Sequence, residues 1–228
     1  MKVVIAAAGT GGHINPGIAI ANKIKEKQPN SEFVFIGTNR GLENDLVPRA
    51  GYDLRVIDAH GLERKLTVQN MKNLYATYKS IKEAKGILQE FGPDVVVGTG
   101  GYICVPVVLA AKKLGIPVVL HESNAFPGIA VKLFKKKADA ILVGFEDAKK
   151  RLKDAKNVIV TGNPIKIKKL NLTEQEKTKI KGELGVSGNK PVVLVFGGSQ
   201  GARSINRSFI EIIVNKKNKD YQIIWAAG

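Results

Sequence analysis

Three glycine-rich segments follow runs of β-branched residues, and each could bind a phosphate group. They are "GTGGH" (9–13), "GTGGY" (98–102) and "GGSQGA" (197–202). In a parallel sheet such segments lie at the carboxyl ends of strands, and at least two of them lead into helix N-termini, whose free N–H groups favour phosphate. Glycine allows close backbone approach and positive φ. One such segment could serve only to turn the chain, but three together predict a diphosphate site.

The segments do not match the better-known nucleotide motifs. Ile14 stands where the dinucleotide fingerprint needs its third glycine, and no acidic residue ends the second predicted strand, so NAD is not expected. No segment ends in Gly-Lys-Ser/Thr, as an ATP-binding loop would. "GGSQG" fits the G-x-S-x-G pattern of hydrolases, but all three histidines precede Ser199, whereas those enzymes place histidine after the serine. A hydrolase would need a histidine from outside this sequence.

His13 is the candidate general base. It directly follows the first glycine-rich segment and falls in the first turn of a predicted helix, where the dipole favours a neutral imidazole that can accept a proton. Its alternative role is to cap or pack the helix end. His121 ends another strand, beside Glu122 and Asn124 on the same rim. "HESNA" lacks the second histidine of a zinc motif, so no metal site is expected, and His60 is expected to be exposed.

Composition narrows the class of protein. The chain has 228 residues, 44% hydrophobic and 25% charged, which is ordinary for a globular protein. The net charge of +16 predicts attraction to polyanions: nucleic acid, anionic lipid or phosphorylated ligands. Cys104 is the single cysteine, so a reducing compartment is expected. No apolar run is long enough to span a membrane.

Seven short runs rich in Val and Ile are separated by amphipathic stretches. This pattern is typical of strands covered on both faces, and it predicts an α/β fold with a parallel sheet of βαβ units. The runs are residues 2–8, 32–37, 53–58, 94–98, 117–121, 140–144 and 157–162.

The composition changes after the seventh run. Residues 163–190 are rich in lysine, and Thr173 and Glu176 form a capping-box pattern, which indicates a linker with a lead-in helix. Residues 191–228 repeat the strand, glycine turn and helix of the N-terminus and add one strand. Two strands are too few for a core of their own. We therefore expect a first Rossmann-like domain at 1–162 and the truncated start of a second doubly wound domain at 191–228.

Six motifs together resemble, in order and spacing, the MurG family of N-acetylglucosaminyltransferases, which complete the lipid-linked peptidoglycan precursor. The motifs are "GTGGHINPG", "NRGLENDLVPRAGY", "GTGGYICVP", "GIPVVLHESNAFPG", "TGNPIK" and "GGSQGA", and they cover essentially the whole chain. The resemblance implies a two-domain GT-B fold. It also implies inverting transfer from UDP-N-acetylglucosamine to the MurNAc 4-hydroxyl of lipid I (undecaprenyl-pyrophosphoryl-MurNAc-pentapeptide), which forms lipid II. Helix N-termini and lysines can stabilise the departing diphosphate, so no cofactor is expected.

The resemblance assigns roles by position. His13 would be the base for the acceptor hydroxyl, and Ser199 with its neighbours would meet the donor diphosphate. Ser123 and Lys166 depart from the family pattern, which usually has glutamine and arginine there; lysine keeps the charge but lacks the bidentate geometry of arginine. The substrate-binding residues implied are Thr10, Gly11, Gly12, Tyr102, Glu122, Asn124, Lys166, Gly198, Ser199, Gln200 and Gly201.

Residues 61–91 combine apolar side chains at helical spacing with nearby lysines. Such a helix can lie on an anionic bilayer, although its apolar stripe can equally pack in the core. We expect "LERKLTV" (62–68) to touch lipid, which would place the protein peripherally on the cytoplasmic side of the cell membrane.

Two other functions remain open at this point. Another GT-B enzyme, such as a UDP-sugar epimerase or a glycolipid glucosyltransferase, would share most of these motifs. A nucleic-acid-binding module would explain the charge, but the lysines are scattered and no stacking aromatic platform is present, so no nucleic-acid partner is expected. The truncated chain alone is expected to be inactive.

Overall fold

In a computed structural model the chain forms two compact units, Met1–Ile167 and Lys168–Gly228. The structure describes residues 1–59, 68–165, 170–186, 188, 190–198 and 201–228, and side chains of the helix that begins at residue 68 are described from residue 78 onward. The predicted division into 1–162, 163–190 and 191–228 stays a prediction.

The first unit is a seven-stranded, wholly parallel sheet with strand order β3-β2-β1-β4-β5-β6-β7. All seven predicted strands are present, which confirms the α/β fold. The elements are β1 (Lys2–Ala7), α1 (Gly11–Lys27), β2 (Glu32–Gly37), α2 (Glu43–Arg49), β3 (Asp53–Val56), α3 (Val68–Phe91), β4 (Val95–Gly100), α4 (Cys104–Lys113), β5 (Val118–Glu122), α5 (Ile129–Phe134), β6 (Ala140–Val143), α6 (Glu146–Arg151) and β7 (Val158–Val160).

Two hydrophobic cores cover the two faces of this sheet. Alternate residues of β1 point to opposite sides: Ile5 packs with Ile14 and Ile18 of α1, whereas Val4 packs with Val107 of α4. All of these side chains are fully buried. The central strands are therefore apolar on both faces, which explains why the sequence shows continuous Val and Ile runs.

The second glycine-rich segment differs from its prediction as a turn starting at Gly98. β4 continues to Gly100, with a register shift against β1 between Ala6 and Ala7. A Cβ atom at Gly98 would lie 2.9 Å from Cδ2 of Leu120 and 3.1 Å from Sγ of Cys104. Glycine is therefore used here inside the strand, because β5 and α4 pack directly against its backbone.

The second unit contains α7 (Glu174–Glu183), β8 (Val192–Phe196), α8 (Arg203–Val214) and β9 (Gln222–Ala226), with β8 and β9 parallel. The predicted capping box is confirmed: Thr173 and Glu176 exchange hydrogen bonds at the start of α7. No residue of α8 is buried. Within the described residues, no helix combines the length and the apolar character needed to cross a bilayer.

Candidate active site

The first glycine-rich segment turns sharply into α1. Gly9 has φ +92°, Thr10 is the extended N-cap residue, and the helix begins at Gly11. No side chain caps this end, and the first turn contains no acidic residue. The N–H of His13 donates to the carbonyl oxygen of Thr10 over 3.0 Å, and Gly12 is exposed. The N–H groups of Gly11 and Gly12, with the positive end of the helix dipole, therefore suit an anionic ligand.

His13 is held in one orientation by the backbone around it. Its Nδ1 lies 3.2 Å from the carbonyl oxygen of Ala8, and Oγ1 of Thr99 donates to the His13 carbonyl oxygen over 2.8 Å. A carbonyl oxygen can only accept, so we assign the proton of the neutral ring to Nδ1. Nε2 then carries a lone pair that can accept a proton.

The second glycine-rich segment meets the first at this histidine. Gly100 has φ +121° and Gly101 has φ +83°. A Cβ atom at Gly101 would lie 2.8 Å from the carbonyl oxygen of Ala8, and one at Gly100 would lie 2.9 Å from Nε2 of His13. Because β1 and β4 are neighbouring strands, the ends of both segments come together.

The "HESN" segment follows β5 on the same side. Glu122 is 5% exposed; its Oε1 accepts from the backbone N–H and the side-chain amide of Asn124, both at 2.9 Å, and its Oε2 accepts from the N–H of Gly128 at 2.6 Å. This carboxylate thus closes the turn between β5 and α5. The ring of His121 is 1% exposed, and burial lowers its pKa below the usual value.

A cavity of about 380 Å³ opens between these segments. It brings together four of the predicted residues, His13, Tyr102, Glu122 and Asn124. Apolar side chains form much of the remaining wall: Ala59, Val105, Pro106, Ile129, Ala130, Val131 and Leu133. The polar side chains of Ser80, Thr99, His121 and Ser123 also line it. Thr10, Gly11 and Gly12 do not line the cavity and lie in the segment that leads to His13. The roles given to these residues stay predictions.

The third glycine-rich segment lies in the second unit. Gly198 and Gly201 both have positive φ, at +82° and +69°, and the N–H of Gly201 donates to the carbonyl of Gly198 over 3.1 Å. A side chain at Gly201 would collide with the carbonyl oxygen of Ala227. Positions 198 and 201 therefore favour glycine, as the sequence predicts. Outside the described residues lie Lys166, Ser199, Gln200, His60 and residues 62–67, with Arg64 and Lys65 among them.

Among the described residues, no group of three or more His, Cys, Asp and Glu side chains is arranged to hold a metal ion. Sequence reasoning did not single out Thr99 or Glu43. Thr99 fixes the first turn of α1, and Glu43 is fully buried and accepts a hydrogen bond from the N–H of Gly9 at 2.9 Å. The feature of the sequence that could have identified Glu43 is its position shortly after two glycines, Gly37 and Gly41.

The sequence profile of the glycosyltransferase family 28 N-terminal domain matches residues 3–143. The chain belongs to glycosyltransferase family 28. The match spans β1 to β6 and so includes the first two glycine-rich segments and the "HESN" segment.

Curated relatives share the whole length of the chain. It is 43% identical over 228 residues to the UDP-N-acetylglucosamine–N-acetylmuramyl-(pentapeptide) pyrophosphoryl-undecaprenol N-acetylglucosamine transferase of Thermoanaerobacter sp. (strain X514). It is 42% identical to the corresponding transferase 1 of Bacillus cereus (strain ATCC 14579). In both cases all of the chain is covered but only 62% of the relative, so the chain spans less than two thirds of these proteins.

Solved structures show the same fold. The crystal structure of Acinetobacter baumannii MurG has a TM-score of 0.72 at 23% identity, covering 100% of this chain and 68% of that one. The UDP-GlcNAc 2-epimerase of Neisseria meningitidis, bound to UDP-GlcNAc, has a TM-score of 0.65 at 18% identity, covering 100% and 66%. These likenesses confirm the predicted GT-B fold class.

Proposed function

We propose that this chain carries the acceptor site and the catalytic base of an inverting N-acetylglucosaminyltransferase. The donor is UDP-N-acetylglucosamine, the acceptor is lipid I, and the product is lipid II. One observation carries the proposal: Nδ1 of His13 is bound to the Ala8 carbonyl, so that Nε2 is left as a proton acceptor at the edge of a cavity where two glycine-rich segments meet. The activity named for the curated relatives supports the same reaction.

His13 acts on the acceptor hydroxyl. As O4 of the MurNAc unit attacks the anomeric carbon of the donor, its proton passes to Nε2 of His13. The new C1–O4 bond forms while the bond between C1 and the diphosphate oxygen breaks, and the electron pair leaves with UDP. A single displacement of this kind inverts the anomeric centre, and a positioned base typically contributes about 10²–10⁴-fold to the rate.

The diphosphates of the two substrates need separate anion sites. The uncapped start of α1, at Gly11 and Gly12, suits the acceptor diphosphate because its N–H groups and dipole oppose the charge. The turn at Gly198 and Gly201 leads into α8 in the same way and suits the donor. No metal enters this scheme.

A lipid-linked acceptor requires contact with a membrane, and one surface of the first unit fits it. Phe126, Ile129 and Leu133 are 68%, 69% and 57% exposed, and Ile129 and Leu133 are four residues apart on one face of α5. Lys132 and Lys136 are exposed beside them. Apolar residues flanked by lysines favour an anionic bilayer. Ile129 and Leu133 also line the cavity, so a lipid tail at this surface would lie next to the reacting sugar.

Joining the chain to the remaining C-terminal part of the Thermoanaerobacter relative tests the proposed reaction. This chimera should transfer N-acetylglucosamine from its UDP donor to lipid I. The variant His13→Ala should lower kcat by about 10²–10⁴-fold, whereas Lys27→Ala at the other end of α1 should not. Epimerisation of the donor without transfer would favour the alternative GT-B enzyme, and DNA binding without UDP-sugar binding would favour a nucleic-acid module.

Flotation with anionic vesicles tests the membrane surface with the 228-residue chain itself. Binding should weaken as salt rises, because the lysines contribute through screened charge. The double variant Ile129→Ser, Leu133→Ser and the charge reversal of Arg64 and Lys65 should each reduce it. Binding that neither change affects would contradict both proposed contact surfaces, and the absence of salt-sensitive binding would contradict a peripheral location at the membrane.

A further inference from the structure

Glu43 is the most completely buried carboxylate around the first glycine-rich segment. It is the first residue of α2, it is 0% exposed, and its oxygens accept three hydrogen bonds from two residues. Oε2 accepts from the N–H of Gly9 at 2.9 Å, and Oε1 accepts from the N–H and the hydroxyl of Thr38 at 3.0 and 2.7 Å. A charge in such a place costs free energy unless donors surround it, so its position needs a reason.

The backbone around Glu43 leaves it just enough room. A Cβ atom at Gly37 would lie 2.7 Å from its Cγ, and one at Gly41 would lie 2.8 Å from its Oε1. Burial raises the pKa of Glu43, but the hydrogen bonds from Gly9 and Thr38 lower it more, and the net result lies below the usual value of 4.5. The side chain is therefore a carboxylate at neutral pH.

The hydrogen bond to Gly9 ends on the same peptide group that holds His13. The N–H of Gly9 and the carbonyl of Ala8 are the two ends of one planar amide. Its N–H donates to Glu43 Oε2 over 2.9 Å, and its carbonyl oxygen lies 3.2 Å from Nδ1 of His13. A carboxylate, a peptide group and an imidazole thus form a continuous chain of hydrogen bonds.

Hydrogen bonds in such a chain polarise one another. Electron density drawn toward the Ala8 oxygen by the negative carboxylate strengthens the bond from Nδ1, which fixes the ring tautomer and makes Nε2 a better proton acceptor. An aspartate bound directly to histidine does the same in serine proteases. In this protein the amide of Ala8 and Gly9 lies between the Glu43 carboxylate and the His13 imidazole.

We infer that Glu43 is a positioning residue that acts on His13 through the Ala8–Gly9 peptide group. The inference rests on the proposed role of His13 as the base. The other titratable side chains that share the cavity with His13 are Tyr102, His121 and Glu122, and none of them bonds to Nδ1 of His13 among the described hydrogen bonds.

The first experiment needs no activity. In the 228-residue chain labelled with ¹⁵N-histidine, the nitrogen shifts of neutral His13 report which ring nitrogen carries the proton. We expect Nδ1–H in the wild type and a smaller Nδ1–H fraction in Glu43→Gln. Asp45→Asn makes the same charge change at an exposed position of α2 and should match the wild type. Thr38→Val removes a donor to the other carboxylate oxygen and should also keep the tautomer.

An Nε2–H tautomer in the wild type would overturn the inference, even if Glu43→Gln fails to fold. An equal response to Thr38→Val and Glu43→Gln would overturn it too, because both would then report general loosening. In the chimera, Glu43→Gln should lower kcat by less than the about 10²–10⁴-fold expected for His13→Ala, with little change in KM, and Asp45→Asn should not. A chimera without transferase activity would contradict the proposed function but leave the tautomer result standing.

Discussion

The imidazole of His13 lies against the backbone of Gly100, so that a Cβ atom at Gly100 would come within 2.9 Å of Nε2. These two residues are 87 positions apart in the sequence, yet they pack so closely that one additional methyl group would not fit between them. The contact leaves no space for the ring to turn toward β4.

Gly100→Ala should displace this ring and strain a backbone with φ +121°. Because a shift of about 1 Å at a catalytic group can cost about 10²-fold in rate, we expect a loss of that size in kcat/KM of the chimera. Gly86→Ala is the matched control: nothing lies within 4 Å of a Cβ there, and alanine should stabilise α3 by about 0.5–1 kcal/mol. Equal activity of the two variants would contradict the predicted fit.

Glu122→Ala should open the turn between β5 and α5. It leaves the N–H groups of Asn124 and Gly128 without their acceptor, and hydrogen bonds to charged groups contribute about 1.5–3 kcal/mol each. Urea unfolding should show a loss of about 2–3 kcal/mol, with faster proteolysis at residues 123–128. Glu90→Ala removes an exposed ion pair to Arg55 and should change stability by less than about 1 kcal/mol. Wild-type stability and wild-type proteolysis of Glu122→Ala would show that the carboxylate does not close the turn.

The buried ring of His121 should make the protein sensitive to mild acid. Burial lowers the folded-state pKa below the usual 6.5, so the unfolded chain binds a proton before the folded protein does. The stabilising effect is complete above about pH 6.5 and is lost as pH falls from there through the folded-state value. The free energy of unfolding should be lower at about pH 5.5 than at about pH 7.5, and His121→Gln should reduce this slope. If the free energy of unfolding depends on pH equally in the wild type and in His121→Gln, another titratable group causes that dependence.

Ala130→Trp should fill part of the 380 Å³ cavity. We expect weaker binding of lipid I by the 228-residue chain, measured by titration in detergent, and a raised KM for lipid I in the chimera. The KM for the UDP donor should not change, since the proposed donor site lies in the other unit. A variant that raises the KM of both substrates equally would indicate a folding defect and not a blocked acceptor site.

The sequence predicts the strands well because β1 and its neighbouring strands contribute side chains to both hydrophobic cores. Continuous Val and Ile runs are what a strand buried on both faces requires, and the structure has a strand in every such run. The sequence predicts the role of the glycines less well. Gly98 and Gly100 are predicted to form a turn, but they belong to β4. They are glycines because Leu120 and His13, which are distant in sequence, occupy the space that their side chains would need. Glu43 could not be found from periodicity, since its donor at Gly9 is 34 residues away.

The order β3-β2-β1-β4-β5 has one more consequence. From β1 the chain winds outward to one edge of the sheet, returns through α3, and from β4 winds outward to the other edge. The helices that follow β1 and β4 therefore lie on opposite sides, and a cleft must open between the ends of these two strands. Its existence depends on connectivity and not on any single side chain. The 18% identical epimerase shares this fold, so the fold persists when most of the side chains are replaced.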